Sequence, residues 1–202
     1  MNKNRTYEAT LKIAKKIART KYGSLFVIGP ASKFKGTYEL LYPNLSVKGN
    51  LNKADTLAVI EKLATLDGAV LISDKGKIIA YGAKLKESKT LPGFGTKHAA
   101  AAGTTSHIKG STAILVSEEI NWIKVFQDGK IILEMDSQEN PKLIEHDIIT
   151  FITEGDTALL TAAGLSAALI GPTIITPIMI IGGAYLAIKT AGGIIKKSLK
   201  VK

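Results

Sequence analysis

Gly93-Phe94-Gly95-Thr96-Lys97-His98-Ala99-Ala100-Ala101-Ala102-Gly103 is the stretch on which the reading of this chain turns. Pro92, Gly93 and Gly95 mark a loop, and alanine has the strongest intrinsic preference for helix. The passage therefore predicts a loop that becomes a helix reaching to about Ser106. At such a junction the unpaired backbone N–H groups and the positive end of the helix dipole favour an anion. Thr96, Lys97 and His98 bring a hydroxyl, a cation and a ring N–H to that end, which suits the holding of phosphate. Small residues along the helix would let it press close to a sheet or a partner.

Outward from this junction, helices and strands alternate. Thr6 to Lys21 places Ala9, Ile13, Ile17 and Ala18 at helical spacing among lysines and arginines, a basic amphipathic helix that ends at Gly23. Ser24 to Ile28 is an apolar run between Gly23 and Gly29-Pro30, and Thr37 to Tyr42 is a second strand candidate. Asn52 to Leu66 has Leu57, Ile60, Leu63 and Ala64 in helical register, and runs into Asp67-Gly68. Ala69 to Ser73 and Lys77 to Tyr81 are joined by Asp74-Lys75-Gly76, the composition of a tight hairpin. Beyond the alanine helix, Ser111 to Val116, Trp122 to Gln127 and Lys130 to Glu134 read as strands, the last two joined by Asp128-Gly129. Pro141 to Ile152 reads as a helix. The pattern predicts an α/β fold, a single domain over residues 1–153 with a central mixed β-sheet flanked by helices.

Residues 154–202 are of another kind. From Ala158 to Ala187 the chain carries no charged residue over 30 positions. That exceeds the roughly 20 residues a helix needs to cross a bilayer, although Gly171-Pro172 and Pro177 interrupt it. The expectation is an apolar C-terminal helical segment, a hairpin dipping into the membrane, one kinked spanning helix or an anchor lying in the membrane plane, with glycines available for close helix contacts. Lys189, Lys196, Lys197, Lys200 and Lys202 then favour the cytoplasmic side. The alternative is a buried helical pair or an oligomerisation arm in a cytoplasmic protein.

The bulk numbers narrow the class. At 202 residues there is room for one core-bearing domain and an appendage. The chain has no cysteine, which excludes disulfides, thiolate metal sites and a cysteine nucleophile and fits a reducing compartment. The formal charge of +10 is spread along the chain, without an aromatic-studded basic patch, so a nucleotide or an anionic membrane accounts for it and nucleic acid is not expected. The N-terminus lacks the apolar run of a secretory signal.

Two further groups stand out. Asp67 precedes Gly68 and Ala69, whose absent or small side chains let a ligand approach the backbone. A carboxylate there can hold a ribose hydroxyl, bind a metal or activate a hydroxyl. Ser117-Glu118-Glu119 follows an apolar strand, where carboxylates can hold Mg²⁺ or Mn²⁺ through oxygen. His107 and His146 have no such company and read as surface residues.

Leu66-Asp67-Gly68-Ala69, then Gly95-Thr96-Lys97-His98 opening a small-residue helix, then Val116-Ser117-Glu118-Glu119, in this order, resemble the diadenylate cyclase domain family (DAC, like the N-terminal domain of DisA). The resemblance spans Leu51 to Glu134, and more loosely Thr6 to Ile152. It implies condensation of two ATP into cyclic di-AMP with release of pyrophosphate, a divalent metal (Mg²⁺ or Mn²⁺), and a face-to-face homo-oligomeric pair of domains. Carried over, Asp67, Lys97 and His98 would be catalytic, with Asp67 at the ribose 3′-hydroxyl. Gly68, Ala69, Gly95, Thr96, Lys97, His98 and Ser117 would bind the nucleotide, and Asp67 and Glu118 the metal. The family's Arg-His-Arg triplet reads Lys97-His98-Ala99 here. Lysine keeps the charge but not the bidentate fork, and Ala99 removes the second cation, for which Lys84 or Lys86 are the candidate replacements. The reading places the enzyme at the cytoplasmic membrane face. Two other functions are open: a nucleotide-binding sensor without turnover, and a membrane-active effector controlled by the folded domain.

Overall fold

The computed structural model describes residues 2–43, 49–118, 122–136, 145–154, 179–181 and 184–186. Helix α1 (Lys3–Ala18) opens on Asn2, whose side chain accepts from the Arg5 N–H at 3.0 Å, a standard N-cap. Tyr7, Leu11, Ala14, Ile17 and Ala18 form its buried stripe. The chain then gives strand β1 (Ser24–Gly29), a short 3-10 turn (Ala31–Phe34) and strand β2 (Tyr38–Leu40). Helix α2 (Ala54–Leu63) is followed by strands β3 (Ala69–Ser73) and β4 (Ile78–Leu85), and helix α3 (Thr96–His107) by β5 (Thr112–Val116), β6 (Trp122–Gln127) and β7 (Lys130–Asp136). Helix α4 (Glu145–Glu154) and the short strands β8 (Met179–Ile181) and β9 (Ala184–Leu186) complete the described elements.

The strands lie in the order β2-β4-β3-β1-β5-β6-β7-β8-β9. β1 and β3 are parallel, as a crossover through helix α2 requires, and the other neighbours are antiparallel. Alternate residues of the strands divide the core in two. Phe26, Ile28, Val70, Ile72, Ile114, Val116 and Val125 pack with α1, α2 and α4. On the other face Leu25, Val27, Leu71, Leu115 and Phe126 pack with Ala101 and Ala102 of α3. Burial on both faces explains why β1, β3 and β5 are apolar runs without alternation.

The small residues of α3 set how close it lies. A Cβ on Gly103 would come 2.4 Å from the Ser88 Cα, so a larger residue would push the helix off the 86–91 loop. At the other end the Thr105 hydroxyl accepts the Gly129 N–H at 3.1 Å, tying α3 to the β6–β7 turn. In that turn Asp128 (φ 47°) and Gly129 (φ 73°) both take left-handed conformations, as a two-residue hairpin needs.

In the apolar tail, the six described residues are strand rather than helix, with β8 pairing with β7 and β9 with β8. The helical expectation does not hold for them: Met179-Ile180-Ile181 and Ala184-Tyr185-Leu186, with Gly-Gly between, have the composition of a hairpin. The rest of the helical segment expected over 158–187, and residues 141–144 of the expected last helix, lie outside the described residues. No described helix is long and apolar enough to cross a membrane.

Candidate functional site

The sheet topology explains how residues far apart in sequence meet. β3 runs parallel to β1 and β5 antiparallel to it, with Leu25 opposite Ala69 and Ser24 opposite Val116. The start of β1, the start of β3 and the end of β5 therefore lie side by side at one end of their strands. Gly23, Asp67 and Ser117-Glu118 are the residues just outside those three strand ends. The N-terminus of α3 comes to the same place, since Thr96, Lys97 and His98 line a cleft with Asp67, Ser117 and Glu118.

A cleft of about 490 Å³ opens there, lined by Asp67, Gly93–His98, Leu115–Glu118 and Lys124. An adjoining cleft of about 400 Å³ shares Asp67, Thr96 and Lys97 and adds Gly68, Ala69 and Lys84. All the sequence-predicted site residues thus line one or the other, and Asp67, Thr96 and Lys97 line both. Glu119 lies outside the described residues. His107 stands apart, exposed, with Nδ1 3.9 Å from Glu87 Oε1. Of the two lysines considered as replacements for the missing cation, Lys84 lines the adjoining cleft, while Lys86 sits 3.7 Å from Glu39 at the β2–β4 edge.

Each element of the site has a local cause. Gly68 has φ +91°, and a Cβ there would come 2.6 Å from the Gly82 carbonyl carbon, so the Asp67-Gly68 turn lies directly on the β4 backbone. The Gly68 N–H donates to Asp67 Oδ1 at 2.8 Å, fixing the carboxylate against its own turn. Gly95 caps α3 with no side-chain acceptor, leaving first-turn N–H groups uncapped by side chains. Lys97 Nζ donates to Glu118 Oε1. Glu118 in turn lies against Gly23, where any Cβ would fall 2.3 Å from the glutamate Cγ.

His98 is packed under aromatic rings. Its ring lies 4.7 Å from the Phe94 ring and 6.1 Å, edge-on, from that of Phe126. Burial, reinforced by the charge of Lys124, pushes its pKa down to about 4, so the imidazole is neutral at neutral pH. Its Nε2 is buried and has no hydrogen-bond partner among the described residues. A neutral imidazole can give or accept one hydrogen bond at that atom but adds no positive charge.

Sequence reasoning missed Lys124. It stands in the middle of an apolar strand, Trp122-Ile123-Lys124-Val125-Phe126, which is the available signal, yet its partner could not be read there. Lys124 pairs with Glu134 across β6 and β7, Nζ to Oε1 3.3 Å, and both side chains are largely buried. A register shift between Val125 and Phe126 creates that pairing; without it the Asp128-Gly129 turn would set Lys124 opposite Leu133.

Asp67 and Glu118 are the oxygen donors that could take a divalent cation. No cluster of three or more His, Asp or Glu side chains suited to a metal occurs among the described residues. Two carboxylates in a cleft match a small hard ion that takes its other ligands from phosphate and water.

Residues 12–131 match the DAC family, DisA bacterial checkpoint controller nucleotide-binding. The chain is 30% identical over 146 residues to a diadenylate cyclase of Methanocaldococcus jannaschii, covering 67% of this chain and 47% of that protein. It is 31% identical over 139 residues to a diadenylate cyclase of Haloferax volcanii, covering 65% and 51%. This chain matches about half the length of those relatives. Among solved structures, a hypothetical membrane spanning protein from Bacillus cereus superposes with a TM-score of 0.51 at 21% identity, over 60% of this chain and 59% of that one, which supports the fold.

Proposed function

The chain belongs to the DAC family of nucleotide-binding domains, and on that premise we propose that it is a diadenylate cyclase, condensing two ATP into cyclic di-AMP and two pyrophosphates. The observation that carries the reading is the convergence of Asp67, Thr96, Lys97, His98, Ser117 and Glu118 on one cleft. That cleft brings carboxylates together with a helix start uncapped by side chains and a cation, which is what a hydroxyl nucleophile and a triphosphate require.

In this reading the phosphates lie at the start of α3, against its N–H groups, the Thr96 hydroxyl, the Lys97 ammonium and the His98 Nε2. Asp67 accepts the proton of the ribose 3′-hydroxyl as that oxygen bonds to the α-phosphorus of the facing nucleotide. The bond from the α-phosphorus to the bridging oxygen breaks, pyrophosphate leaves, and the proton passes from Asp67 to water. The same step in the opposite sense closes the ring, so two copies of the site must face each other. Holding both groups in line and neutralising the phosphate charge are the main demands on the protein. Asp67 and Glu118 would hold the divalent cation, Mg²⁺ or Mn²⁺, which when bound spreads the phosphate charge and acidifies the attacking hydroxyl. Lys97, parted from Glu118, would be able to meet phosphate.

Residues 154–202, with their uncharged run and terminal lysines, are proposed to hold the domain at the cytoplasmic membrane face. Confinement to a surface raises the effective concentration of facing pairs. Flotation of the full chain with anionic vesicles checks this, and a chain that stays with the soluble fraction contradicts it.

Incubating the purified chain with ATP and, in parallel, GTP, each with Mg²⁺ or Mn²⁺, tests the function. Cyclic di-AMP detected by mass is the expected product. ATP binding without any cyclic product would instead make the protein a nucleotide sensor.

A further inference from the structure

We propose that Lys124 supplies the second phosphate-binding cation, the one Ala99 lacks, and that Glu134 is the residue that positions it. The proposal rests on the nucleotide reading for its ligand, a nucleoside triphosphate, and on the geometry of the cleft for the residue.

Lys124 lines the cleft together with Lys97 and His98, whereas Glu134 is not among the residues lining it. Of the ion pair, Lys124 is thus the member that lines the cleft. Glu134 Oε1 lies 3.3 Å from the ammonium nitrogen, and the Phe94 ring lies 4.3 Å from it, centroid to nitrogen. Phe94 itself lines the cleft, is 42% exposed and follows Gly93, whose φ is 82°.

Stability alone does not explain a lysine there. A buried ion pair brings little net stability over apolar residues of the same size, because both ions lose their hydration. The charge is used if an anion comes to it. His98 does not compete for that role, since burial keeps it neutral at neutral pH. Nor do the lysines first considered: Lys86 is beside Glu39, away from both clefts, and Lys84 reaches only the adjoining one. Lys97 and Lys124 are the two lysines lining the main cleft.

The test compares binding of ATP and of adenosine, each with Mg²⁺, to the full chain by calorimetry. Lys124→Met alone leaves the Glu134 carboxylate buried and unpaired and can fail to fold, so the deciding variant is Lys124→Met/Glu134→Gln, with its melting checked. The expected result is ATP affinity reduced tenfold or more, adenosine affinity within twofold of the parent, and a shallower dependence of ATP binding on salt. Lys86→Met is expected to leave both ligands unaffected. Unchanged ATP affinity in the double variant overturns the proposal, as does a loss shared equally by ATP and adenosine. A parent chain that binds ATP but forms no cyclic di-AMP overturns the cyclase reading and leaves the Lys124 comparison to be decided on its own.

Discussion

Lys97, in the first turn of α3, donates from Nζ to Glu118 Oε1, just beyond β5. The cation assigned to phosphate and a carboxylate assigned to the metal thus neutralise each other across the cleft. Their side chains are 31% and 56% exposed, and an ion pair so open to water contributes about 0–1 kcal/mol. Glu118→Gln is therefore expected to move the melting temperature by no more than about 4 °C. The same change should lower cyclisation about a hundredfold, the scale of losing one group that acts on transition-state charge. Calorimetric melting and a product assay on one preparation check both halves.

Gly23 governs the same glutamate from below. Because an added Cβ would fall 2.3 Å from the Glu118 Cγ, Gly23→Ala should displace the side chain and reduce cyclisation. The collision is with a side chain that can swing aside, so stability should stay close to that of the parent. Unfolding in urea alongside the activity assay separates the two effects.

Gly68→Ala should behave differently. Its φ of +91° is strained for any other residue, and the new Cβ would meet the Gly82–Ala83 backbone at 2.6–2.8 Å, where nothing can rotate away. A loss of at least about 1–3 kcal/mol is expected, read from the urea midpoint, together with loss of nucleotide binding.

The pH dependence follows from His98. Its pKa falls from the ordinary 6.5 to about 4 in the fold, first through burial and then through the charge of Lys124. Between those values the unfolded chain binds the extra proton and the folded chain does not, so stability rises with pH across that window. Acidification from pH 6.5 toward 4 should weaken the fold, and the contribution is complete above pH 6.5. NMR titration of the imidazole should find it neutral at pH 6, and Lys124→Met/Glu134→Gln should raise its pKa only in part, since burial remains.

Strands β1, β3, β5, β6 and β7 and helices α1 to α3 were legible because apolar runs, helical spacing and turn residues mark them locally. The residues that line the two clefts could be picked out for a related reason: Asp67-Gly68-Ala69, Gly95-Thr96-Lys97-His98 and Ser117-Glu118 each sit at an element boundary, where the residue types change. What was not legible depends on register and on contacts across the sheet. The shift between Val125 and Phe126 decides that Lys124 faces Glu134 rather than Leu133. The space under Glu118 comes from Gly23, 95 positions earlier in the chain. At Met179–Ile181 and Ala184–Leu186, which are strands, the helical expectation failed because hydropathy does not separate helix from strand in a short Ile-rich run.

The most direct measurement is the yield of cyclic di-AMP from ATP and a divalent metal by the parent chain and by Asp67→Asn, whose side chain is nearly the same size but cannot take the hydroxyl proton. The account expects product from the parent, and none from a variant that melts at the parent's temperature. Cyclic di-AMP formed by Asp67→Asn at the parent's rate would contradict it.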